Sequence, residues 1–291
     1  MSCLGKKRPF VLLPGAILND MAELSIPIGE VRAHGSEPFA AAVLHGGPGA
    51  PGSAHALAQG LHSRLVAHNA QRCGVLEPMQ AGMNVDEQVL ELVSQLNGHA
   101  PLCVVGWSWG ALLGILLAAQ HPERVRSLVL VGCPPLEAGY ARSIMPTRMG
   151  RLNDEERELV GETMRLLEQG QADDVLLSRF GRLMTKADSV DLFAMPEAVS
   201  SDMEQHMAVW SGAAELRSSG RLLRLAKSVH CPVIALHGDH DPHPGAGVAA
   251  PLVSMKNFWF HSLSGCGHTP WLERRAHQRF FELLIEAVSA E

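Results

Sequence analysis

The pentapeptide Gly106-Trp107-Ser108-Trp109-Gly110 constrains the fold of this chain more than any other stretch. It follows a short apolar run at residues 102–105 and precedes a longer one at residues 111–119. This order predicts a strand, a sharp turn and a helix, in which glycines allow close packing and Ser108 occupies strained backbone. The serine hydroxyl would then stand at the end of the strand, beside the free N–H groups of a helix N-terminus. The alternative is a plain Gly/Ser turn between two core elements.

Apolar strand-like runs alternate with helical patterns along most of the chain. The predicted strands lie at residues 10–13, 26–32, 39–44, 73–76, 102–105, 126–131, 231–236 and 256–263, and further helices at 53–68, 85–96 and 271–290. Continuous apolar strands are typical of a sheet that is buried on both faces. The sequence therefore predicts an α/β fold with a mostly parallel central sheet covered by helices on both faces.

One long segment departs from this alternation. Residues 136–228 are charged, helical in pattern and rich in methionine, and they contain no continuous apolar strand run. We therefore predict a core domain formed by residues 1–135 and 229–291, with residues 136–228 inserted as a helical cap domain. Because the core would supply only the reacting groups, substrate choice is expected to depend on this cap.

Composition and charge exclude several other classes of protein. The net charge is −6 and no basic stripe is present, so a nucleic-acid partner is not expected. No apolar run approaches the length of a membrane span, and the one at residues 10–13 is too short for a secretory signal. Six cysteines without a C-x-x-C pair indicate reduced thiols and a cytoplasmic protein. Oligomeric state is left open.

Four candidate groups follow predicted strands: Gly46 with Gly47, Ser108, Asp241 and His268. In parallel sheets such strand ends form the binding site, so these groups should lie together. A serine needs a nearby base to become a nucleophile, and a histidine needs an acid to orient it. Asp239 competes with Asp241 for that last role, although aspartate beside glycine is usually a turn former.

With these residues in place, the chain resembles the α/β-hydrolases, whose order of catalytic residues is Ser, Asp, His. His45-Gly46-Gly47-Pro48-Gly49 is similar to the oxyanion loop of proline iminopeptidases, and residues 267–273 follow the family sequence around the histidine. The resemblance covers residues 39–131 and 231–284. It implies a catalytic triad of Ser108, Asp241 and His268, because the family pattern Gly-x-x-Asp, counted from Gly238, selects Asp241. It also implies a cap after the sixth strand of the common core.

An acyl-transfer site also needs two backbone donors for the developing oxyanion. We predict the N–H groups of Trp109 and Gly47, with Gly46 as the second choice for the latter. The chain departs from the peptidases after the fourth core strand, where they carry an Asp-Gln-Arg-Gly-like loop and this chain has residues 77–82. This departure weakens the aminopeptidase assignment and leaves the hydrolase assignment unaffected.

Candidate substrate-binding residues are Trp107, Trp210 and Trp271, which would wall a pocket or pack in the core. Glu204 and Glu215 would bind a substrate ammonium group, or would be solvated charges on a helix. His237, His240 and His243 lie close in sequence, but they lack a matching Cys or Glu partner set. Neither a metal nor another cofactor is therefore expected.

The leading hypothesis is a serine hydrolase that cleaves an ester or amide of a small molecule through an acyl-enzyme, similar to proline iminopeptidases. A carboxylesterase or thioesterase is the nearest alternative. A C–C hydrolase or lyase is a third, because the triad does not determine which bond is broken. A ligand-binding protein without activity on the same fold belongs to a different class, and the intact triad argues against it.

Overall fold

The computed structural model describes residues 28–171, 173–196 and 199–290. Seven strands form one sheet in the order β1-β3-β2-β4-β5-β6-β7, in which only β1 is antiparallel to its neighbour. The strands are β1 Val31–His34, β2 Phe39–Leu44, β3 Gly74–Pro78, β4 Leu102–Trp107, β5 Val125–Val131, β6 Val233–Gly238 and β7 Phe258–Leu263. The predicted mostly parallel sheet is confirmed.

Helices cover both faces of this sheet. Those of the core are α1 His55–Ala67, α2 Val85–Gln95, α3 Trp109–Gln120, α10 Ala246–Leu252 and α11 His277–Ser289. Helices α1 and α11 pack on one face, against Ala41, Val43 and Val105 among others, whereas α2, α3 and α10 pack on the opposite face. Alternate strand residues therefore enter different cores, which explains why the central strands β2 and β4 are apolar at every position.

Residues 136–228, between β5 and β6, form what we call the helical segment, and its described part contains six helices. They are α4 Ala138–Ala141, α5 Ile144–Gly150, α6 Asp154–Glu168, α7 Asp174–Asp188, α8 Met203–Ser218 and α9 Arg221–Lys227. Helix α6 begins with a capping box between Asn153 and Glu156. A small separate core joins α6 and α7 through Val160, Met184 and Ala187. In the described residues no helix combines the length and the apolar composition needed to cross a membrane.

Element boundaries differ from the sequence prediction at several places. The strand predicted at residues 10–13 and the start of the one at 26–32 lie outside the described residues, and β1 begins at Val31. β3 extends to Pro78 because that residue pairs with Val31 on the antiparallel edge. The final helix begins only at His277, since a 3₁₀ turn at Pro270–Leu272 precedes it.

Candidate active site

The predicted triad residues and oxyanion donors follow strands at the carboxyl edge of the sheet. The pairing of Leu44 with Gly106 and of Trp107 with Val131 brings the ends of β2, β4 and β5 to one level. The N–H of Ser108 donates to the carbonyl of Val131 at 3.0 Å, which fixes the turn to the neighbouring strand.

The turn at Ser108 has the strained geometry that the sequence predicts. Ser108 is a non-glycine residue with φ 54° and ψ −116°, a conformation of the kind that costs about 1–3 kcal/mol. A Cβ atom on Gly106 would collide with the carbonyl oxygen of Gly110, and one on Gly110 would collide with that of Leu44. Both glycines are therefore required by close packing between β4, α3 and β2.

His268 and Asp241 form a buried pair beside this turn. Nδ1 of His268 donates to Oδ2 of Asp241 at 2.7 Å, which leaves Nε2 of the ring as the proton acceptor. Burial acts to lower the pKa of His268, but the Asp241 carboxylate outweighs it and raises that pKa above its ordinary value. Burial acts to raise the pKa of Asp241, and the His268 and His243 rings hold it well below its usual range.

His243 is a partner of this pair that the sequence reasoning missed. Its backbone N–H and its Nδ1 both donate to Oδ1 of Asp241 at 2.9 Å, and its ring centroid lies 4.5 Å from that of His268. Burial lowers the pKa of His243 to about 4, although Asp241 opposes this shift. His268 is therefore the ring of the two that is protonated more readily. The spacing Asp241-x-His243 is the sequence signal that could have indicated this contact, but His243 was interpreted only as a possible metal ligand.

Gly132, at the end of β5, makes room for the pair. Its φ is +52°, and a Cβ atom there would lie 2.8 Å from Nδ1 of His268 and 3.2 Å from Oδ2 of Asp241. Both the backbone conformation and the space therefore require glycine. In the sequence this residue marks only the end of a strand, and nothing indicates its contact with His268 and Asp241.

Two further contacts fix the loop that bears His268. Its N–H donates to the carbonyl of Asp188 at 2.9 Å, at the end of α7. The buried carboxylate of Glu273 accepts N–H groups from Gly267, Val190 and Asp191 at 2.8–3.1 Å. One carboxylate thus links the loop that bears His268 to the helical segment. The sequence motif does not indicate that this carboxylate is buried.

Asp188 also places a second carboxylate near His268. Both of its oxygens accept from Arg148, Nε to Oδ1 at 2.7 Å and Nη2 to Oδ2 at 2.6 Å, and both side chains are largely buried. This bidentate geometry is the strongest form of such a pair. Charges in this pair act on His268 in opposite directions, Asp188 raising its pKa and Arg148 lowering it.

The predicted oxyanion donors lie next to Ser108. Trp109 is the first residue of α3, so its N–H precedes the first intrahelical hydrogen bond, and Gly47 has φ +117°. His45 orients the Gly47 N–H: Nδ1 of its ring donates to the Gly46 carbonyl at 2.7 Å, while Nε2 accepts from the Gln80 N–H at 3.3 Å. In a trans peptide the carbonyl of Gly46 and the N–H of Gly47 point in opposite directions. The hydrogen bond from His45 to the Gly46 carbonyl therefore fixes the Gly47 N–H in a direction that faces away from the His45 ring.

Two cavities adjoin Ser108. The larger, of about 480 Å³, is lined by Gly47, Trp109, Arg148, Arg217, His243 and mostly apolar side chains of the helical segment. The smaller, of about 150 Å³, is lined by Trp107, Asp188, Ser189, His268 and Thr269 among others. In the described residues the Ser108 hydroxyl makes no hydrogen bond to His268, although both line this smaller space. Catalytic hydrogen bonds are often loose before substrate binds.

The three predicted tryptophans are placed differently. Trp210 is half-exposed and lines the larger cavity. Trp107 lines the smaller one, and its indole N–H donates to the His268 carbonyl at 3.0 Å. Trp271 is buried and packs edge-on against Trp107, with ring centroids 5.0 Å apart, so it lies in the core and outside both cavities.

Glu204 and Glu215, the predicted ammonium ligands, are exposed on α8 and line neither cavity. Asp239, the rival of Asp241, is about one-third exposed, and in the described residues it makes no hydrogen bond to His268. Its Oδ1 bonds to His240 at 2.7 Å and accepts the Cys266 N–H at 3.1 Å. Although burial opposes the effect, these hydrogen bonds lower the pKa of Asp239 to about 2. Asp239 thus has the position of a turn former.

The histidines considered as metal ligands do not gather at one point. His240 bonds to Asp239, whereas His237 bonds to the carbonyl of His243. In the described residues, potential ligand atoms lie within 4.8 Å of one another in two groups, Asp188 with His243 and His268, and His34 with His55 and Glu77. In each group an arginine already pairs with the carboxylate, Arg148 in the first and Arg32 in the second.

Comparison with known proteins agrees with this architecture. A family model described as alpha/beta hydrolase fold matches residues 43–244, so the chain belongs to the α/β-hydrolase family. The "Proline iminopeptidase" of Neisseria gonorrhoeae is 28% identical over 228 residues, covering 68% of this chain and 72% of the relative. The "Pimeloyl-[acyl-carrier protein] methyl ester esterase" of Salmonella newport is 28% identical over 195 residues, covering 65% and 69%.

Among solved structures, the proline iminopeptidase of Mycobacterium smegmatis has a TM-score of 0.60 at 19% identity, covering 90% of this chain and 96% of that one. This similarity shows the shared fold. Relatives and structural neighbours of the chain are hydrolases, and the chain is an enzyme of that family.

Proposed function

We propose that the chain is a serine hydrolase that cleaves an ester through an acyl-enzyme, with Ser108 as nucleophile, His268 as base and Asp241 as the acid that orients the base. The main support is the buried hydrogen bond of 2.7 Å between His268 and Asp241, beside a serine in a strained turn. A nucleophile, a base and an orienting acid in this order form the arrangement used in acyl transfer.

In the proposed reaction, Ser108 Oγ attacks the substrate carbonyl carbon while its proton passes to Nε2 of His268. The carbonyl oxygen becomes an anion that accepts hydrogen bonds from the N–H groups of Trp109 and Gly47. The C–O bond to the leaving group then breaks, and that oxygen takes the proton from His268. Water repeats the sequence on the acyl-enzyme, with His268 again as base, and releases the acid and free Ser108. None of these steps uses a cofactor.

The chemistry of the larger cavity favours an ester over the amide of an amino acid. An aminopeptidase must bind a free ammonium group, which requires a carboxylate because an unpaired buried cation is very costly. In the described residues the lining of this cavity contains Arg148 and Arg217 and no carboxylate. Glu204 and Glu215 are exposed elsewhere on α8. The aminopeptidase activity named for the Neisseria relative is therefore the second candidate, and the esterase activity named for the Salmonella relative is the nearer one.

The proposal assigns substrate selection to the helical segment as a cap over the core. Its side chains supply most of the lining of the larger cavity, including Ile144, Phe180 and Trp210. Adaptable methionines, such as Met145 and Met184, also face this space. We therefore expect a small molecule with a mainly apolar acyl chain of small or medium size.

The first test uses an alkyl fluorophosphonate, which reacts with activated serines. Ser108→Ala should abolish labelling and lower kcat by about 10⁴- to 10⁶-fold, the range seen when triad nucleophiles are removed. Thermal unfolding should show an unchanged fold. Ser211→Ala, at an exposed serine of α8, should label like the wild type. Full labelling of Ser108→Ala would show that another residue is the nucleophile.

A second assay separates the esterase from the aminopeptidase. Purified enzyme is given butyrate esters and prolyl or alanyl anilides, alongside Glu204→Gln and Glu215→Gln. We expect ester hydrolysis without anilide cleavage, and less than about a 2-fold change in either variant, since exposed charges far from a site contribute little. Anilide cleavage that one of these variants selectively loses would establish the peptidase instead.

A further inference from the structure

One arginine in the wall of the larger cavity, Arg217, has no carboxylate partner in the described residues. Arg217, near the end of α8, donates through Nε to the carbonyl of Pro135 at 2.9 Å. In the part of the chain that the structure describes, no carboxylate oxygen lies within 4 Å of its guanidinium, and its Nη groups have no protein acceptor. The side chain is half-buried and lines the same cavity as Ser108.

Arg148 provides the contrast within the same wall. Its guanidinium is matched by the carboxylate of Asp188 through two hydrogen bonds, so that pair has no net charge. Arg217 is thus an uncompensated cation among apolar neighbours such as Leu112 and Pro134. A guanidinium remains protonated in proteins, and burying it without an anion is unfavourable. We therefore expect the substrate to carry the anion that pairs with Arg217.

We infer that the substrate's acyl chain ends in a carboxylate, which binds the two Nη groups of Arg217 while its ester carbonyl lies at Ser108. This inference rests on the proposed function and names the class of its substrate: a monoester of a dicarboxylic acid. A planar carboxylate bears one charge and matches the two parallel N–H groups of the arginine. A phosphate group would add a second negative charge for which the described lining offers no further free cation.

The two cavities assign the carboxylate to the acyl half of the ester. The proton from His268 goes to the leaving group, which must therefore depart beside that ring. The smaller cavity includes His268, so it is the exit side. The larger cavity includes Gly47 and Trp109, whose N–H groups would bind the acyl oxygen, and Arg217 lies in its wall.

The test compares matched pairs of esters. Monomethyl esters of the four-, six- and eight-carbon dicarboxylic acids are assayed against methyl esters of the corresponding monocarboxylic acids. For the best length, wild-type kcat/KM should favour the half-ester by about 10- to 100-fold, the range expected for a hydrogen-bonded charge pair. Arg217→Gln should lose this preference, measured as the ratio of the two kcat/KM values within each variant. Arg217→Lys should retain part of the preference, and Arg221→Gln, at an exposed arginine of α9, all of it.

A third arm detects the carboxylate on the leaving group. Neutral acyl esters of a hydroxy acid are compared with esters of the matched alcohol. If these pairs, instead of the half-esters, show a preference that depends on Arg217, the assignment to the acyl half is wrong. A wild type without preference in either set, with Arg217→Gln lowering all rates equally, overturns the inference altogether.

Binding without turnover separates this inference from the proposed mechanism. Adipate and suberate should raise the unfolding temperature of Ser108→Ala, while hexanamide should not, and adding Arg217→Gln should remove the effect. This result would stand even if no ester were hydrolysed and the fluorophosphonate failed to react, which would refute the mechanism. No stabilisation by any dicarboxylate, in a protein that still labels at Ser108, would refute the inference alone.

Discussion

The carboxyl edge of the sheet and the helical segment facing it are built in opposite ways. At the edge, polar side chains are buried and their hydrogen bonds are largely satisfied: the carboxylates of Asp241 and Glu273 each accept from three N–H groups. Across the cavity, the helical segment presents apolar and methionine side chains, a half-exposed Trp210 and the unmatched Arg217.

Under the proposed function, this difference assigns catalysis to the edge of the sheet and substrate selection to the helical segment. Groups held by several hydrogen bonds keep one position whatever the substrate, as positioning for catalysis requires. Side chains that contact mainly one another can adapt, so they distinguish substrates by shape and charge. Substitutions at the sheet edge should then affect all substrates equally, and substitutions in the cavity wall of the helical segment should affect them unequally.

The largest effect expected in this comparison is at Asp241. Asp241→Asn should lower kcat by about 10³- to 10⁴-fold, and by the same factor for every ester, because an amide allows the tautomer of His268 with its proton on Nε2. Asp239→Asn should change kcat by less than about 10-fold, since its carboxylate bonds to His240 and Cys266 and, in the described residues, not to His268. Steady-state kinetics on two or more esters measures both. A larger loss in Asp239→Asn, or a loss that differs between esters, would contradict the comparison.

Smaller effects are expected when one glycine in each region is replaced by alanine. Gly132→Ala would place a Cβ 2.8 Å from Nδ1 of His268 and forces an unfavourable φ of +52°. Because that ring is fixed by Asp241, we expect kcat to fall about 10²-fold, the scale for a misplaced catalytic group. Gly161→Ala, inside α6 with open space around it, should instead raise stability by about 0.5–1 kcal/mol and leave kcat unchanged.

Kinetics and urea denaturation of these two variants test whether the regions differ in this way. Equal kcat values for Gly132→Ala and the wild type would mean that the histidine loop adjusts freely. The edge of the sheet would then be no more rigid than the helices.

Much of the fold follows from sequence patterns with a local physical cause. The buried strands are continuous apolar runs because each face of the sheet meets its own core, as at Val104 and Val105. The glycines of the Ser108 turn and the capping box at Asn153 likewise have causes that the neighbouring residues in the sequence indicate. Such features could be predicted without knowledge of distant contacts.

The parts of the site that escaped prediction depend on contacts between distant residues. Asp188 lies 80 positions before His268, and its pairing with Arg148 depends on how α7 meets α5. Glu204 and Glu215 could not be separated from other helix-face charges, because the direction in which α8 faces is decided by packing. Arg217, on that same helix, gave no signal in the sequence, although the proposed substrate carboxylate would bind there.

The smallest effect concerns pH and tests whether the two regions communicate. In the proposed mechanism His268 must be neutral to accept the Ser108 proton, so kcat/KM should rise as pH increases through its pKa, which lies above the ordinary value. The surrounding charges are Asp241, Asp188 and Arg148, while His243 is neutral near pH 7 because its pKa is about 4. Asp188 belongs to the helical segment but stabilises the protonated ring at the sheet edge.

Replacing either member of the Asp188–Arg148 pair should therefore move this rise in opposite directions. Asp188→Asn removes a charge that favours protonation of His268, so the rise shifts to lower pH and activity at pH 6 increases relative to the maximum. Arg148→Met leaves the carboxylate unopposed, which shifts the rise to higher pH. Breaking a buried pair should also cost about 3–5 kcal/mol of stability in each variant, so urea denaturation identifies the range in which both remain folded. Profiles of kcat/KM against pH that coincide, or that shift in the same direction, would show that the charge at the end of α7 does not act on the base.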